Sequence, residues 1–204
     1  ETKANNVGLK RARGKYVIII QDDMIVNEKD WNVRILEPFH KWDDVFAVSA
    51  NCAHNWELNP NSQGIKDGWS NLLNHIDHAN KTNTPRNVFA IRDSVNRGPL
   101  AINRSALEKL NYFDEKFAPL DCDDHDLMYR MQHFMRLKKG NYAIPLVCGF
   151  YSVEWYSKPE WGGTRDQDGK PKQWALDAQI KNIKLLYERH KDYIHIHKNE
   201  NREC

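Results

Sequence analysis

A single-domain mixed α/β fold is what the sequence predicts, and three observations predict it. Tyr16-Val17-Ile18-Ile19-Ile20 is a mostly β-branched run that stops at Gln21-Asp22-Asp23 and resumes as Met24-Ile25-Val26, the pattern of a buried strand with carboxylates at its carboxyl end. Further short apolar runs at 45–50, 87–91 and 142–151 read as strands. Segments of helical periodicity stand between and after them, the clearest at 127–137 and 174–190.

The chain opens with a polar, basic stretch that reads as a short helix over 7–12, closed by Gly14. After the acids, Asn27-Glu28-Lys29-Asp30 is a capping arrangement that opens a helix over 28–42, with Trp31, Ile35, Leu36 and Phe39 on its apolar face. Residues 51–86 are polar, with turn signals at Asn59-Pro60-Asn61 and Gly64, and read as a variable insertion with a helix near 69–78. His54, His75 and His78 fall in it. His75 and His78 are spaced i,i+3 and share one face of such a helix, but no third ligand stands in register, so packing or surface histidine is the favoured reading.

Gly98-Pro99 breaks the chain ahead of a short apolar run, which implies a close approach of backbone to something at that point. Ser105-Ala106-Leu107-Glu108 is a capping box for a helix ending by Asn111. Asp121, Asp123, Asp124 and Asp126 then crowd the start of a helix. The exposed amides and dipole of a first turn explain one or two of these acids. Asp126 pairs with Arg130 at i,i+4, leaving Asp123 or Asp124 to face a cleft. Pro145 marks the strand at 142–151 as an edge or a bulge. Residues 158–172 read as a flexible loop, and 173–204 as a final helix with a tail. Asp166-Gln167-Asp168-Gly169 lacks the other positions of a calcium loop and reads as a turn. In the tail, Ile194-His195-Ile196-His197 alternates as an exposed edge does.

Composition narrows the choice of function. The 204 residues suffice to bury a core, and thirty basic against twenty-eight acidic residues leave a net charge of +2. That balance predicts neither nucleic acid nor an anionic membrane as partner. No apolar run approaches the roughly twenty residues that span a bilayer and no leader-like segment opens the chain, so a soluble protein in a cytoplasmic setting is the expectation. Cys52, Cys122, Cys148 and Cys204 form no CxxC pair, which argues against a zinc site or a disulfide framework. Two adjacent carboxylates at an apolar strand end either begin a turn or meet a cation, and a divalent metal carrying a phosphate is the compensation that also performs chemistry.

The pieces Asn6-Val7-Gly8, Ala12 to Asp23, Arg97 to Arg104, Phe113 to Phe117 and Asp123 to Arg130 resemble, in order, the GT-A glycosyltransferases, family 2 in particular, over about residues 5 to 137. The resemblance implies a Rossmann-like GT-A fold, a nucleotide-sugar donor with UDP the commonest carrier, Mn²⁺ or Mg²⁺, and a glycan, lipid or protein acceptor. The family's Asp-x-Asp element falls on Gln21-Asp22-Asp23, so Asp23 is implied as the direct metal ligand, with Asp22 on metal-bound water or the ribose. The family's Glu-Asp pair falls on Asp123-Asp124, which implies Asp124 as general base and Asp123 as the residue that orients the acceptor. Arg97 and Gly98 match the segment lining the donor site, and Arg130 is a further candidate near the phosphates. The Gly162-Gly163 loop resembles a segment that closes over the donor, with Trp161 stacking and Arg165 on a phosphate. The chain departs from the pattern in three respects: Gln21 replaces the first acid, the nucleoside-binding half is expected ahead of residue 1, and 139–188 holds no histidine for the metal. Glu154, Ser157 or no protein ligand fills that last role.

Two other classes fit the same carboxylates. One is a non-catalytic GT-A-like module that binds a glycan or partner within a larger protein. The other is a metal-dependent nuclease or nucleotidyltransferase, which the charge balance disfavours.

Overall fold

A computed structural model describes residues 1–59, 73–139, 141–158, 162–166, 168, 170–194 and 198–204, with the backbone alone for 58, 74, 75 and 142. At its centre is a six-stranded mixed sheet made of β1 (Tyr16–Ile19), β8 (Leu100–Asn103), β3 (Val45–Ser49), β11 (Val147–Phe150), β6 (Val88–Arg92) and β13 (Glu200–Glu203), in that spatial order. Only the β3–β11 pair is parallel; its neighbours on both sides run antiparallel.

Alternation along the strands divides the core between two faces. Val17, Ile19, Leu100, Ile102, Ala90, Cys148 and Phe150 face one cluster, which helices α1 (Thr2–Arg11), α4 (Arg104–Lys109) and α5 (Asp123–Phe134) cover with Leu9, Leu107, Leu127, Met128 and Met131. Ala101, Phe89, Ile91 and Val147 face the opposite cluster, covered by Ile35, which caps α2 (Trp31–Arg34), and by Phe39 of α3 (Glu37–Lys41). Each such Leu, Ile or Phe, once buried, contributes about 1.5–3 kcal/mol. Helix α6 (Gln173–His190) lies outside α5 and closes a third cluster with Tyr129, Phe117, Ile183 and Leu186. Gly149 of β11 passes so close to β6 that a Cβ there would stand 2.5 Å from the Ala90 carbonyl oxygen.

Several local expectations change. The single helix over 28–42 is two short ones, because Pro38 lacks the N–H that a continuous helix requires and is accommodated in the first turn of α3 instead. The helix expected near 69–78 is corrected where it is described: Leu73–Asn80 is strand β5, paired antiparallel with β4 (Cys52–Leu58). Pairing with β4 along most of its length, and burial of Leu73 and Ala79, outweigh the i,i+3 histidine spacing. β4 also pairs with β7 (Ser94–Val95), which ties its first residues to the core. Asn103, not Ser105, caps α4, accepting from the Ala106 amide at 3.3 Å. The late strand divides at Leu146 into β10 (Tyr142–Pro145), paired with β9 (Arg136–Lys139), and β11 in the main sheet. The tail adds the edge strand β13, fastened by Arg202, whose guanidinium holds Asp44 with two bonds of 2.7 and 2.9 Å. Residues 195–197, with their two histidines, lie outside the described residues.

Candidate functional site

The strand that begins at Tyr16 ends at Ile19, and the acids stand in the turn beyond it. The Met24 amide donates to the Gln21 carbonyl at 3.1 Å, so Gln21 to Met24 forms the turn and β2 (Met24–Val26) follows. Turn and cation site are therefore compatible readings, since Asp22 is exposed and Asp23 half-buried. β2 pairs with β12 (Trp155–Ser157), with Ser157 opposite Met24. That pairing brings the Ser157 hydroxyl to 3.4 Å from Asp23 Oδ2, and the Lys158 amide donates to the Asp23 carbonyl at 2.7 Å. Glu154 turns elsewhere, to Arg86 at 3.2 Å.

Behind this turn lies a buried charge cluster. The Arg97 guanidinium grips both oxygens of Asp123, at 2.7 and 2.9 Å, and its backbone amide donates to Asp124 Oδ2 at 2.9 Å. A chain of contacts joins the cluster to the acidic turn: Glu1 stands 3.6 Å from Arg97 and accepts from the Gln21 side-chain amide at 2.9 Å. Gly98 (φ +88°) makes the approach possible. A Cβ there would overlap the Met24 thioether and stand 2.8 Å from Gln21 Oε1.

The electrostatics differ sharply among the acids of α5. Burial pushes the Asp124 carboxyl up, but His125, the Arg97 charge and the two backbone amides of Arg97 and His125 hold it below the ordinary value. His125 is itself pushed down by burial, so at neutral pH the lowering rests on Arg97 and the amides. Asp123 is pushed up by burial against the pull of Arg97. Asp121, which sequence reasoning left without a role, is pushed up to about 7 by burial and the Asp124 charge. Gln179 and the Cys122 amide donate to it at 2.8 and 2.9 Å. Its signal was the excess of acids over what capping needs. Asp126 accepts from Arg130 at 2.7 Å, while the other two arms of Arg130 donate to the Leu110 and Tyr112 carbonyls. Arg130 is thus spent on structure.

A cleft of about 440 Å³ opens over the acidic turn. Asp22, Asp23 and Gln21 form one wall, and Gly162, Gly163 and Trp174 face them. Trp161 lies outside the described residues, so Trp174, half-exposed at the start of α6, is the aromatic seen at the cleft. Arg165 is exposed one residue past the cleft-lining Thr164, in a bridge with Pro171. Asp123 and Asp124 are buried beside Arg97 rather than on the cleft wall. The carboxylates of Asp22 and Asp23, with the Ser157 hydroxyl, are an all-oxygen donor set, and that chemistry suits the hard cations Mg²⁺ and Mn²⁺. Among the described residues no helix is long and apolar enough to cross a membrane.

No protein-family model matches the sequence, and a search of curated proteins finds no match. Among solved structures the chain is similar to GalNAc-T7, crystallised with UDP, GalNAc and Mn²⁺, at a TM-score of 0.51 and 14% identity. The similarity covers 95% of this chain and 36% of that one, so the chain spans about a third of the neighbour's length. The central mixed sheet, the helices on both its faces and this likeness together give the chain the α/β fold of the GT-A glycosyltransferases.

Proposed function

We propose that the chain is a family 2-like, metal-dependent inverting glycosyltransferase, which moves a sugar from a nucleotide-diphosphate carrier, UDP foremost, to an acceptor hydroxyl of a glycan, lipid or protein. One observation carries the reading: an acidic turn at a cleft, joined through Glu1 and Arg97 to a second set of carboxylates, within a GT-A fold. Mn²⁺ or Mg²⁺ bound there supplies positive charge against that developing on the leaving diphosphate. Asp23 would hold the ion, with Asp22 toward its water or the ribose and the Ser157 hydroxyl as a third oxygen. Trp161 or Trp174 stacks on the donor, and Arg165 reaches a phosphate as the Gly162-Gly163 loop closes. Arg97, charged and buried between two acids, holds both in place and opposes the rise that burial gives their carboxyls. Gly98 lets that segment lie against the metal-binding turn.

In transfer, the acceptor oxygen attacks the anomeric carbon from the face opposite the diphosphate. Its proton passes to Asp124, the new C–O bond forms, and the old C–O electron pair departs with the diphosphate. The test is donor hydrolysis and transfer, with and without Mn²⁺, on the natural chain and on Asp23→Ala. Mn²⁺-dependent turnover lost in Asp23→Ala supports the assignment; turnover unaffected by Asp23→Ala moves the metal elsewhere.

A second reading, a non-catalytic GT-A-like binding module, has an observation in its favour. Both Asp124 oxygens already accept from backbone amides, and its carboxyl is held low, which weakens it as a base. Nucleotide-sugar binding with no Mn²⁺-dependent hydrolysis or transfer is the outcome that selects it.

A further inference from the structure

The hairpin of β4 and β5 carries a cluster that the glycosyl-transfer reading does not use. Cys52 and His54 stand two apart on β4. The β4–β5 register shifts between Ala53 and Asn55, and Asp77 takes a left-handed φ of 50°. This irregularity sets His78 beside them: the Cys52 sulfur and one ring nitrogen of each histidine all lie within 4.8 Å of one another. We propose that Cys52, His54 and His78 form a binding site for a thiophilic divalent cation, Zn²⁺ foremost, distinct from the all-oxygen site at Asp22 and Asp23.

The geometry suits such an ion. Tetrahedral Zn²⁺ with bonds of about 2.0 Å to nitrogen and 2.3 Å to sulfur places its ligand atoms about 3.3–3.5 Å apart, so side-chain adjustments of about 1 Å close the site. Cys52 and His54 are buried, while His78 is exposed. A cavity of about 460 Å³, lined by Cys52, His78, Asn80, Lys81, Trp155 and Tyr156, gives entry to the ion and room for a water as fourth ligand. Around His54 the rings of Trp56 (4.7 Å) and His125 (5.0 Å) hold its plane, and Ser94 Oγ is 2.5 Å from His125 Nδ1.

Charge and softness point the same way. Burial, then the Asp124 carboxylate, push the Cys52 thiol up to about 12, so the empty site holds a neutral thiol; burial likewise lowers His78. A cation that binds expels the thiol proton to solvent and takes the thiolate as ligand, and the same Asp124 charge that disfavours a bare thiolate favours the cation. Sulfur and imidazole donors select zinc-like ions, whereas the carboxylates of the acidic turn select Mg²⁺ or Mn²⁺. The two sites thus sort metals by chemistry. The ion fastens β5 to β4 alongside β7, whose sequel carries Arg97.

Titration of the metal-free chain with Co²⁺ tests the site, because thiolate ligation produces a sulfur-to-cobalt charge-transfer band that oxygen ligation does not. The expected result is that band at one equivalent, bleached by Zn²⁺ and not by Mn²⁺, retained in Asp23→Ala and absent in Cys52→Ser. His78→Ala, at the exposed rim, keeps its circular dichroism and loses at least about tenfold in Co²⁺ affinity. No charge-transfer band, or a band of undiminished affinity in His78→Ala, overturns the proposal, as does a band lost in Asp23→Ala.

Discussion

Asp124 and Asp121 stand three residues apart, yet their surroundings shift them in opposite directions. The Asp124 carboxyl is held below the ordinary value, and Asp124→Asn removes proton acceptance while preserving shape. The expected outcome is a loss of about 10²–10⁴ in kcat, with the nucleotide-sugar Kd within a few-fold, read by steady-state kinetics and calorimetry. Asp121 is raised, so the folded state holds its proton more tightly than the unfolded chain does. Its contribution to stability is full below the ordinary carboxylate range and is lost as pH rises through about 7. Asp121→Asn accordingly flattens the fall in urea midpoint between pH 4 and pH 7; an unchanged profile assigns the fall to another group. At Gly98 a side chain meets both a left-handed φ and the Gln21–Met24 turn. Gly98→Ala is expected to cost about 1–3 kcal/mol and to weaken Mn²⁺-dependent donor binding, measured by thermal denaturation and calorimetry.

Among the elements, α5 is the one the site depends on, and its first turn is anchored by charge. Asp126 accepts from Arg130 on its own helix and from Arg189 and His190 on α6, at 2.7, 3.1 and 3.0 Å. Burial raises its carboxyl, but His190 and Arg130 outweigh burial and hold it low. The sign is opposite to that of Asp121: this stability is present above the ordinary carboxylate range and is lost as pH falls through the folded-state value. Asp126→Ala removes one partner each from Arg130, Arg189 and His190, though Arg130 keeps the Leu110 and Tyr112 carbonyls and Arg189 keeps Asp114; it is expected to cost about 1–3 kcal/mol in chemical denaturation at neutral pH, and less in acid. A cost that does not shrink in acid would refute the charge-based anchor. The i,i+4 spacing of Asp126 and Arg130 made half of this network legible in the sequence. Arg189 and His190 were invisible there, because the packing of α6 on α5 joins residues more than sixty positions apart.

At the scale of the whole molecule, local pattern determined the strand that leads into the acidic turn, the break at Gly98-Pro99, the helix of the second acidic cluster and the last helix. Each is written in the order of neighbouring residues, as periodicity, caps and breakers. The tertiary structure alone decided that Arg97 grips Asp123 across twenty-six positions and that Glu1 bridges Arg97 to Gln21. It also decided that Trp174 faces the cleft, and that 73–80 pairs as a strand and brings His78 to Cys52 and His54. The zinc-type cluster shows why. Its ligands are two apart on one strand and then twenty-four residues away on the next, so no CxxC-like spacing announces them. Strand register and a bulge create the site, and register is set by which faces the whole fold buries, a quantity that no local window of sequence contains.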